Sequence, residues 1–153
     1  MVIAIIRQGD DVLLVQERLG RDGEMLWSLP GGGVEDGESM LEALTRELLE
    51  ATGLRAGDPT RLAFVVNSDS PSHPSAIALA FEVGSHEGQP TPQDADIAAV
   101  DFIPLDEALD RLRRLDSAIQ RDPIVSYLDG SAPSGTTWFY RQDGDVEQLL
   151  GRC

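Results

Sequence analysis

The stretch that decides the fold runs from residue 31 to residue 54 and reads GGGVEDGESMLEALTRELLEATGL. Three consecutive glycines open it, which indicates a turn of the backbone. An apolar repeat then predicts a helix over residues 39 to 52. Ser39 and Glu42 stand at the spacing of a capping box, and Gly53 stands where helices commonly end. The stretch therefore predicts a loop, a helix and a second loop in succession.

The predicted helix places two carboxylates beside its apolar face. At about 100° per residue, five residues gather on that face: Met40, Leu41, Leu44, Leu48 and Ala51. Glu47 borders it and Glu50 lies one turn further on. Two carboxylates this close repel each other unless a cation joins them, and Mg²⁺ prefers oxygen ligands of this kind. The pair therefore indicates a metal site, although solvated glutamates and an ordinary glycine turn would each account for one feature alone.

The flanking sequence predicts alternating strands and helices of a single α/β domain spanning residues 1–153. The segment VIAIIRQGDDVLLVQE after Met1 predicts a hairpin that turns at Gly9 and Asp10. Further strands are predicted over four segments: residues 61–67, 76–83, 98–103 and 136–140, the last closing the fold. Pro104 is predicted to open a second helix, and a shorter helix is predicted over residues 123–128.

The composition limits the classes of partner. The chain of 153 residues has 27 Asp and Glu against 12 Lys and Arg, which gives a formal net charge of −15. Such a surface repels nucleic-acid backbones, so we predict no nucleic-acid partner. The acidity is compatible with metal binding and equally with plain solubility.

No part of the sequence indicates a membrane protein. No apolar run approaches the ~18 residues of a membrane span, and the run after Met1 is too short for a signal peptide. The only cysteine, Cys153, has no internal disulfide partner, which favours a reducing, cytoplasmic setting. A monomer and a homodimer both remain open.

The spacing of glycines and acids resembles the Nudix box. From the first glycine of the box, five residues lead to a glutamate, and seven more lead to an Arg-Glu pair. The fixed positions of the box are occupied by Gly32, Glu38, Arg46, Glu47, Leu48, Glu50, Gly53 and Leu54. The likeness extends more loosely from the first hairpin to the helix after Pro104, and residues from about 116 onward carry no signal.

The resemblance implies a Nudix fold, with a mixed β-sheet sandwiched between helices (α/β/α). It implies hydrolysis, with Mg²⁺ or Mn²⁺, of a nucleoside diphosphate linked to another group, such as a nucleoside triphosphate or ADP-ribose. It further implies that Glu47 and Glu50 bind metal together with the Gly32 carbonyl. Arg46 would hold a neighbouring carboxylate through its forked donors, and Glu38 would support the site from behind these ligands.

One position departs from the box, because Ala51 stands where the family has the second glutamate of an adjacent pair. The cluster therefore has two helix carboxylates instead of three, and a downstream acid is expected to compensate. Asp94, Asp96 and Glu87 are the candidates, and Asp96 is the one we favour. The departure also keeps a second class open, a Nudix-fold nucleotide-binding or sensor module with weakened catalysis.

Four residues outside the box are candidate substrate contacts. Arg18 and Arg21 follow the second predicted strand and suit phosphate, and Trp27 suits stacking on a base, although surface arginines and a core tryptophan are the plain alternatives. His73 lies in the loop of residues 68–75, which we expect to border the substrate without supplying the essential base. Pro71 lies near the position of a marker proline of ADP-ribose pyrophosphatases in this family.

Overall fold

Three helices and twelve strands make up the computed structural model, which describes residues 1–153. The helices are α1 (Met40–Thr52), α2 (Leu105–Leu112) and α3 (Ala118–Leu128). The first six strands are β1 (Val2–Ile5), β2 (Arg7–Gln8), β3 (Asp11–Arg18), β4 (Met25–Ser28), β5 (Gly31–Gly32) and β6 (Arg55–Ala56). The remaining six are β7 (Pro59–Asp69), β8 (Ala76–Val83), β9 (His86–Glu87), β10 (Ile97–Pro104), β11 (Thr136–Asp143) and β12 (Val146–Arg152). None of the three helices is long and apolar enough to cross a membrane.

The strands form one mixed sheet and two smaller antiparallel ones. The mixed sheet has six strands in the order β12-β11-β7-β8-β1-β5, in which β1 runs parallel to β8 and β11 runs parallel to β7. The second sheet has the order β10-β3-β2, and β4 also pairs with β3. Strands β6 and β9 pair only with each other.

Alternate residues of the strands face two different helical layers. On one side, α1 packs on residues of β1 and β3 such as Val2, Ala4 and Leu13. On the other side, α2 and α3 pack on the residues that follow Ala4 and Leu13 in the chain, Ile5 and Leu14. Because alternate residues of one strand pack against α1 on one side and against α2 and α3 on the other, the sheets lie between two layers of helices. The predicted α/β/α architecture with a mixed sheet is confirmed.

The first helix begins and ends as predicted. The Ser39 hydroxyl accepts a hydrogen bond from the Glu42 amide at 3.2 Å, and the Glu42 carboxylate accepts one from the Ser39 amide at 2.8 Å. Gly53 ends the helix in the left-handed region at φ 72°.

The buried face of α1 is rotated from the predicted one. Met40 and Leu41 are about half exposed, so their placement in the core was wrong. The buried positions are Ala43, Leu44, Leu48, Ala51 and Thr52. Residues four apart share a helix face, so the row from Ala43 to Ala51 passes through Glu47. Glu47 is consequently drawn inward, toward the sheet.

The prediction of an N-terminal hairpin was only partly right. Gly9 makes the turn at φ 59°, and β2 pairs with β3 across it. Strand β1, in contrast, leaves the hairpin and lies between β8 and β5. The run from Val2 to Ile6 is apolar on both faces, which suits the interior of a sheet rather than its edge.

The C-terminal third differs most from the prediction. Helix α3 begins at Ala118, five residues before its predicted start, and Pro123 lies inside it. Strand β11 is not the last strand, because β12 pairs with it antiparallel and forms the edge of the mixed sheet. Three of the apolar residues of β12 are exposed, so its sequence shows no buried alternation.

Candidate metal and substrate site

Arg46 is the centre of a network of carboxylates at the edge of α1. Its Nε and Nη2 donate to the two oxygens of Glu38 at 2.8 and 3.0 Å, a bidentate pair. Its Nη1 donates to Glu47 Oε1 at 3.0 Å and to Glu50 Oε2 at 3.2 Å. Its Nη2 also donates to the Gly33 carbonyl at 2.9 Å. One guanidinium thus ties the loop to the helix and holds three carboxylates.

These hydrogen bonds shift the ionisation of Glu38. The bonds from Arg46, followed by one from the Glu35 amide, lower the pKa of Glu38 to about 2. The pKa of Arg46 is raised in turn. A carboxylate whose folded pKa lies below its unfolded value of about 4.3 contributes stability above that pH and loses it as the pH falls toward 2. The link between Glu38 and Arg46 is therefore intact at every physiological pH.

Gly32 sets the position of the Glu47 carboxylate. A Cβ atom at Gly32 would lie 2.2 Å from the carboxylate atoms of Glu47, which no real contact permits. Only glycine lets the carboxylate rest against the backbone of β5. The close approach explains why a glycine stands at this position of the loop.

The carboxylates of Glu47 and Glu50 both contact Arg46, whose guanidinium is the cation that joins them. One oxygen of each lies within hydrogen-bond distance of Arg46 Nη1. The Glu47 side chain is 19% exposed and that of Glu50 is 55% exposed, so the pair lies at the border of core and solvent. The second oxygen of each carboxylate has no hydrogen bond, and two such hard oxygen donors on one side of a helix fit a divalent ion that keeps much of its water. No group of three His, Cys, Asp or Glu side chains is gathered closely enough to hold a metal by itself.

Ala51 has a structural place of its own. It is 9% exposed and packs in a small apolar cluster with Val15 and Ile97. A glutamate here would stand one helical turn from Glu47 and would replace a methyl group packed in this cluster. The position that lacks the family's carboxylate is therefore filled by core packing.

Glu17 is an acid of the site that the sequence analysis missed. It lies near the end of β3, and the Ser28 hydroxyl donates to its carboxylate at 3.1 Å. Burial raises its pKa, and the negative charges of Asp94, Asp96 and Glu47 raise it further. The sequence signal for Glu17 is slight. Glu17 and Val15 are two residues apart in a strand, so both side chains lie on the face of β3 that meets α1. It stands between the α1 acids and the downstream acids.

The downstream candidates are less closely joined to the site. Asp96 is exposed, and its amide donates to the Asp94 carboxylate at 2.9 Å, which is a local turn contact. Its charge acts on Glu17. Glu87 lies in β9 opposite Arg55 of β6, in the separate two-stranded sheet.

A cavity of about 480 Å³ opens beside these acids. It is lined by the ends of β1, β3 and β8, by the middle of β7, and by the start of α3. Glu17 and Gly31 line it, which places it next to Gly32 and Glu47. Eleven of its nineteen lining residues are hydrophobic, a composition typical of small-molecule sites.

The four predicted substrate contacts do not line this cavity. Arg18 Nη1 donates to the Gly23 carbonyl at 2.7 Å, and the Arg21 amide donates to Asp116 at 3.1 Å. Trp27 packs against the larger core under the guanidinium of Arg111, 4.6 Å from the ring centre. His73 is exposed within its loop.

The loop of residues 68–75 meets the cavity only at its ends. Ser68 and Ala76, on either side of the loop tip, both line it. Within the loop only Ser68 lines the cavity and His73 lies outside the lining, so a place for the loop at the substrate stays a prediction.

The C-terminal hairpin supplies cavity residues that no sequence pattern predicted. Gln142 of β11 and Glu147 of β12 line the cavity and face each other across the two strands. Ser117 and Gln120, at the start of α3, line it as well. Pairing of distant strands brings these residues together, and no local pattern reports such pairing.

Comparison with known proteins gives a consistent family. The profile of the NUDIX domain matches residues 1–126. The chain is 28% identical over 130 residues to the Phosphatase NudJ of Escherichia coli strain K12, which covers 84% of this chain and 82% of that protein.

Solved structures show the same fold. The mutator MutT protein of Bacillus halodurans is similar at a TM-score of 0.74, with 24% identity over 99% of this chain and 94% of that one. A NUDIX hydrolase of Nitrosomonas europaea is similar at a TM-score of 0.65, with 26% identity over 87% of this chain and 90% of that one.

Proposed function

The chain belongs to the Nudix family and is a Nudix hydrolase, and we propose that it cleaves the pyrophosphate of a nucleoside diphosphate linked to another group. The observation that carries the proposal is that Arg46 holds Glu47, which rests beside Gly32, and Glu50 by one oxygen each and leaves the second oxygen of both carboxylates for a cation. We propose Mg²⁺ or Mn²⁺ as the ion, held by these two carboxylates and the Gly32 carbonyl. When bound, a divalent ion neutralises phosphate charge and activates water.

The roles of the remaining residues follow from their contacts. Arg46 fixes one oxygen each of Glu47 and Glu50, and Glu38 fixes Arg46. Glu47, held against Gly32, is the carboxylate we assign to accept the proton of the attacking water. These residues supply positioning and proton transfer, and both require the carboxylates to stay in one arrangement.

Two further groups of residues complete the proposal. Asp96 and Glu17 supply the negative charge that Ala51 does not, since both act on the same corner of the site. Arg18 and Arg21 stay proposed phosphate contacts because of their charge and their place at and just after the end of β3. Trp27 and His73 have no such support.

We propose a small nucleotide as the partner and no nucleic acid, because a net charge of −15 opposes nucleic-acid binding. We propose a cytoplasmic location, because Cys153 is exposed and unpaired, which suits a reducing compartment.

A panel of substrates tests the function. Nucleoside triphosphates, ADP-ribose, NADH, nucleotide sugars and dinucleoside polyphosphates are each incubated with Mg²⁺ and with Mn²⁺, and the phosphorylated products are measured. Metal-dependent turnover of one class is the expected result. Ala51 favours a second candidate, a nucleotide-binding module, and metal-dependent binding without any turnover would select it.

Replacing Gly32 by alanine is expected to lower activity about tenfold or more while the fold persists. The added Cβ strikes the end of the Glu47 side chain, which can rotate away at little cost in stability but then leaves its position. Hydrolysis rates and thermal melts of the purified variant are the measurements.

The neighbouring glycines serve as matched controls for Gly32→Ala. A Cβ at Gly33 meets nothing within 4 Å, so Gly33→Ala should keep wild-type activity. A Cβ at Gly31 would lie 2.3 Å from the Val2 carbonyl oxygen, so Gly31→Ala should lose stability instead. Equal activity of Gly32→Ala and Gly33→Ala would refute the proposed placement of Glu47.

Ala51→Glu is expected to lower the metal concentration for half-maximal activity by about tenfold. The new carboxylate adds charge one turn from Glu47. It also replaces a methyl group packed on Val15 and Ile97, so the metal-free variant should melt at a lower temperature. A metal titration of activity beside melts with and without metal measures both effects. An unchanged half-saturation point would show that position 51 does not reach the ion.

Glu17→Gln is expected to raise the melting temperature of the metal-free protein at neutral pH by a few degrees at most, since solvent partly screens this half-buried group. A carboxylate with a raised folded pKa destabilises the fold above that pKa and has no such effect below its unfolded value. The difference between variant and wild type should therefore shrink as the pH falls to about 4. Melts across this pH range test it, and a difference that grows toward low pH would contradict the assignment.

A further inference from the structure

The C-terminal strand holds a carboxylate fixed in the wall of the cavity. Glu147 of β12 accepts a hydrogen bond from the Ser117 hydroxyl at 2.7 Å and another from the Ile119 amide at 3.2 Å. The two bonds go to different oxygens, and both donors belong to the start of α3. The carboxylate is therefore held in one orientation by the first turn of the helix.

Glu147 keeps accepting capacity for a ligand. An ionised carboxylate has about four lone-pair sites, and the two bonds from α3 occupy one on each oxygen. The side chain is half-buried and lines the cavity. A group in the cavity can thus donate to either oxygen without displacing the helix.

The charge of the cavity limits what can enter. Glu17 and Glu147 line it, and no lysine, arginine or histidine side chain does. A phosphate placed there would be repelled by both carboxylates, and the one cationic group of a lining residue, the Met1 α-ammonium, already donates to the Ile77 carbonyl at 3.1 Å. These charges favour a neutral or cationic group, and a ligand edge that faces either carboxylate has to donate hydrogen bonds to it.

The volume and lining of the cavity favour a heterocyclic ring. The volume of about 480 Å³ lies in the range of small-molecule sites. Phe64 and aliphatic residues such as Ile3 and Leu29 contribute most of the wall, which suits an aromatic ring better than a sugar with many hydroxyls.

We propose that the cavity receives the non-phosphate part of the substrate and that Glu147 selects a heterocyclic base with an amino group over its oxo analogue. The inference rests on the proposed function, in which the phosphates lie at Glu47 and Glu50. An amino group donates to the carboxylate, whereas a carbonyl oxygen in its place would face it lone pair to lone pair. Glu147 lies beyond residue 126, where the family match ends.

Matched pairs of nucleotides test the selection. CTP and UTP differ at one ring position, amino against oxo, and ATP and ITP form a second such pair. The wild-type protein is expected to favour the amino member of each pair by about tenfold or more in kcat/KM, the discrimination of one good base contact. Binding of CMP and UMP, measured by calorimetry, gives the same comparison without turnover.

Glu147→Gln is the decisive variant. The amide keeps one acceptor oxygen for one of the two α3 donors and presents an N–H₂ group in place of the other oxygen, so the preference should vanish or shift toward UTP. Glu107→Gln, which removes an exposed acid of α2 that does not line the cavity, should keep the wild-type preference. Ser117→Ala leaves the carboxylate in place and should retain a reduced preference.

The outcomes distinguish a failure of the base-selection inference from a failure of the proposed hydrolase function. Equal binding of CMP and UMP by the wild type would overturn the inference even if hydrolysis is found, and so would a preference that survives Glu147→Gln. A monophosphate preference that depends on Glu147 supports the inference even if no triphosphate is hydrolysed. Should Glu147→Gln fail to fold, the paired comparison on the wild type still decides the matter.

Discussion

Replacing Glu47 by glutamine is expected to lower kcat by about 10²-fold or more, the low end for loss of an acid–base group. The carboxylate rests against Gly32 and accepts a bond from Arg46, and glutamine preserves its size and one acceptor. The fold should therefore persist while the negative charge and the proton-accepting oxygen are lost. Steady-state rates at saturating metal, on whichever substrate the panel identifies, measure the effect.

Another glutamate of the same helix provides the control. Glu42 belongs to the capping box, and glutamine serves equally well at that position of the motif. Glu42→Gln should therefore match the wild type in rate and melting temperature. Near-wild-type turnover by Glu47→Gln would remove Glu47 from the chemistry.

Replacing Arg46 by lysine is expected to cost about 10- to 100-fold in activity, the usual loss when a group behind metal ligands is removed. Lysine keeps the charge but lacks the planar fork that reaches Glu38, Glu47 and Glu50 at once. The helix carboxylates then lose their common orientation. Because Arg46 acts through them, the metal concentration for half-maximal activity should rise as kcat falls.

Arg55→Lys is the control, since Arg55 is exposed and lies in the small sheet away from this network. It should behave as the wild type. If Arg46→Lys retains wild-type metal dependence, the network does not orient the ligands.

Local signals predicted the helix and the box. The capping residues of α1 act over three or four positions, so Ser39 and Gly53 define its ends without help from the rest of the chain. The spacing of Glu47 and Glu50 on that helix is likewise a local property. The rotation of the buried face is not, because Met40 and Leu41 are as apolar as the residues that do meet the sheet.

Two acids that no local pattern predicted, Glu17 and Glu147, reach their places through the pairing and packing of strands. Glu17 joins the site because β3 brings it under α1, beside Ser28 of the neighbouring β4. Glu147 joins the cavity because β12 pairs with β11 and its carboxylate reaches the start of α3. Both are single acids in strands, and their partners lie elsewhere in the chain.

Binding of Mn²⁺ without substrate tests the metal site most directly. Free Mn²⁺ is measured by electron paramagnetic resonance during titration of the wild type, Glu47→Gln, Glu50→Gln and Glu42→Gln. We expect one site in the wild type that each of the first two variants weakens by about tenfold or more and that Glu42→Gln leaves unchanged. Wild-type affinity in both Glu47→Gln and Glu50→Gln would contradict a metal site built on this pair.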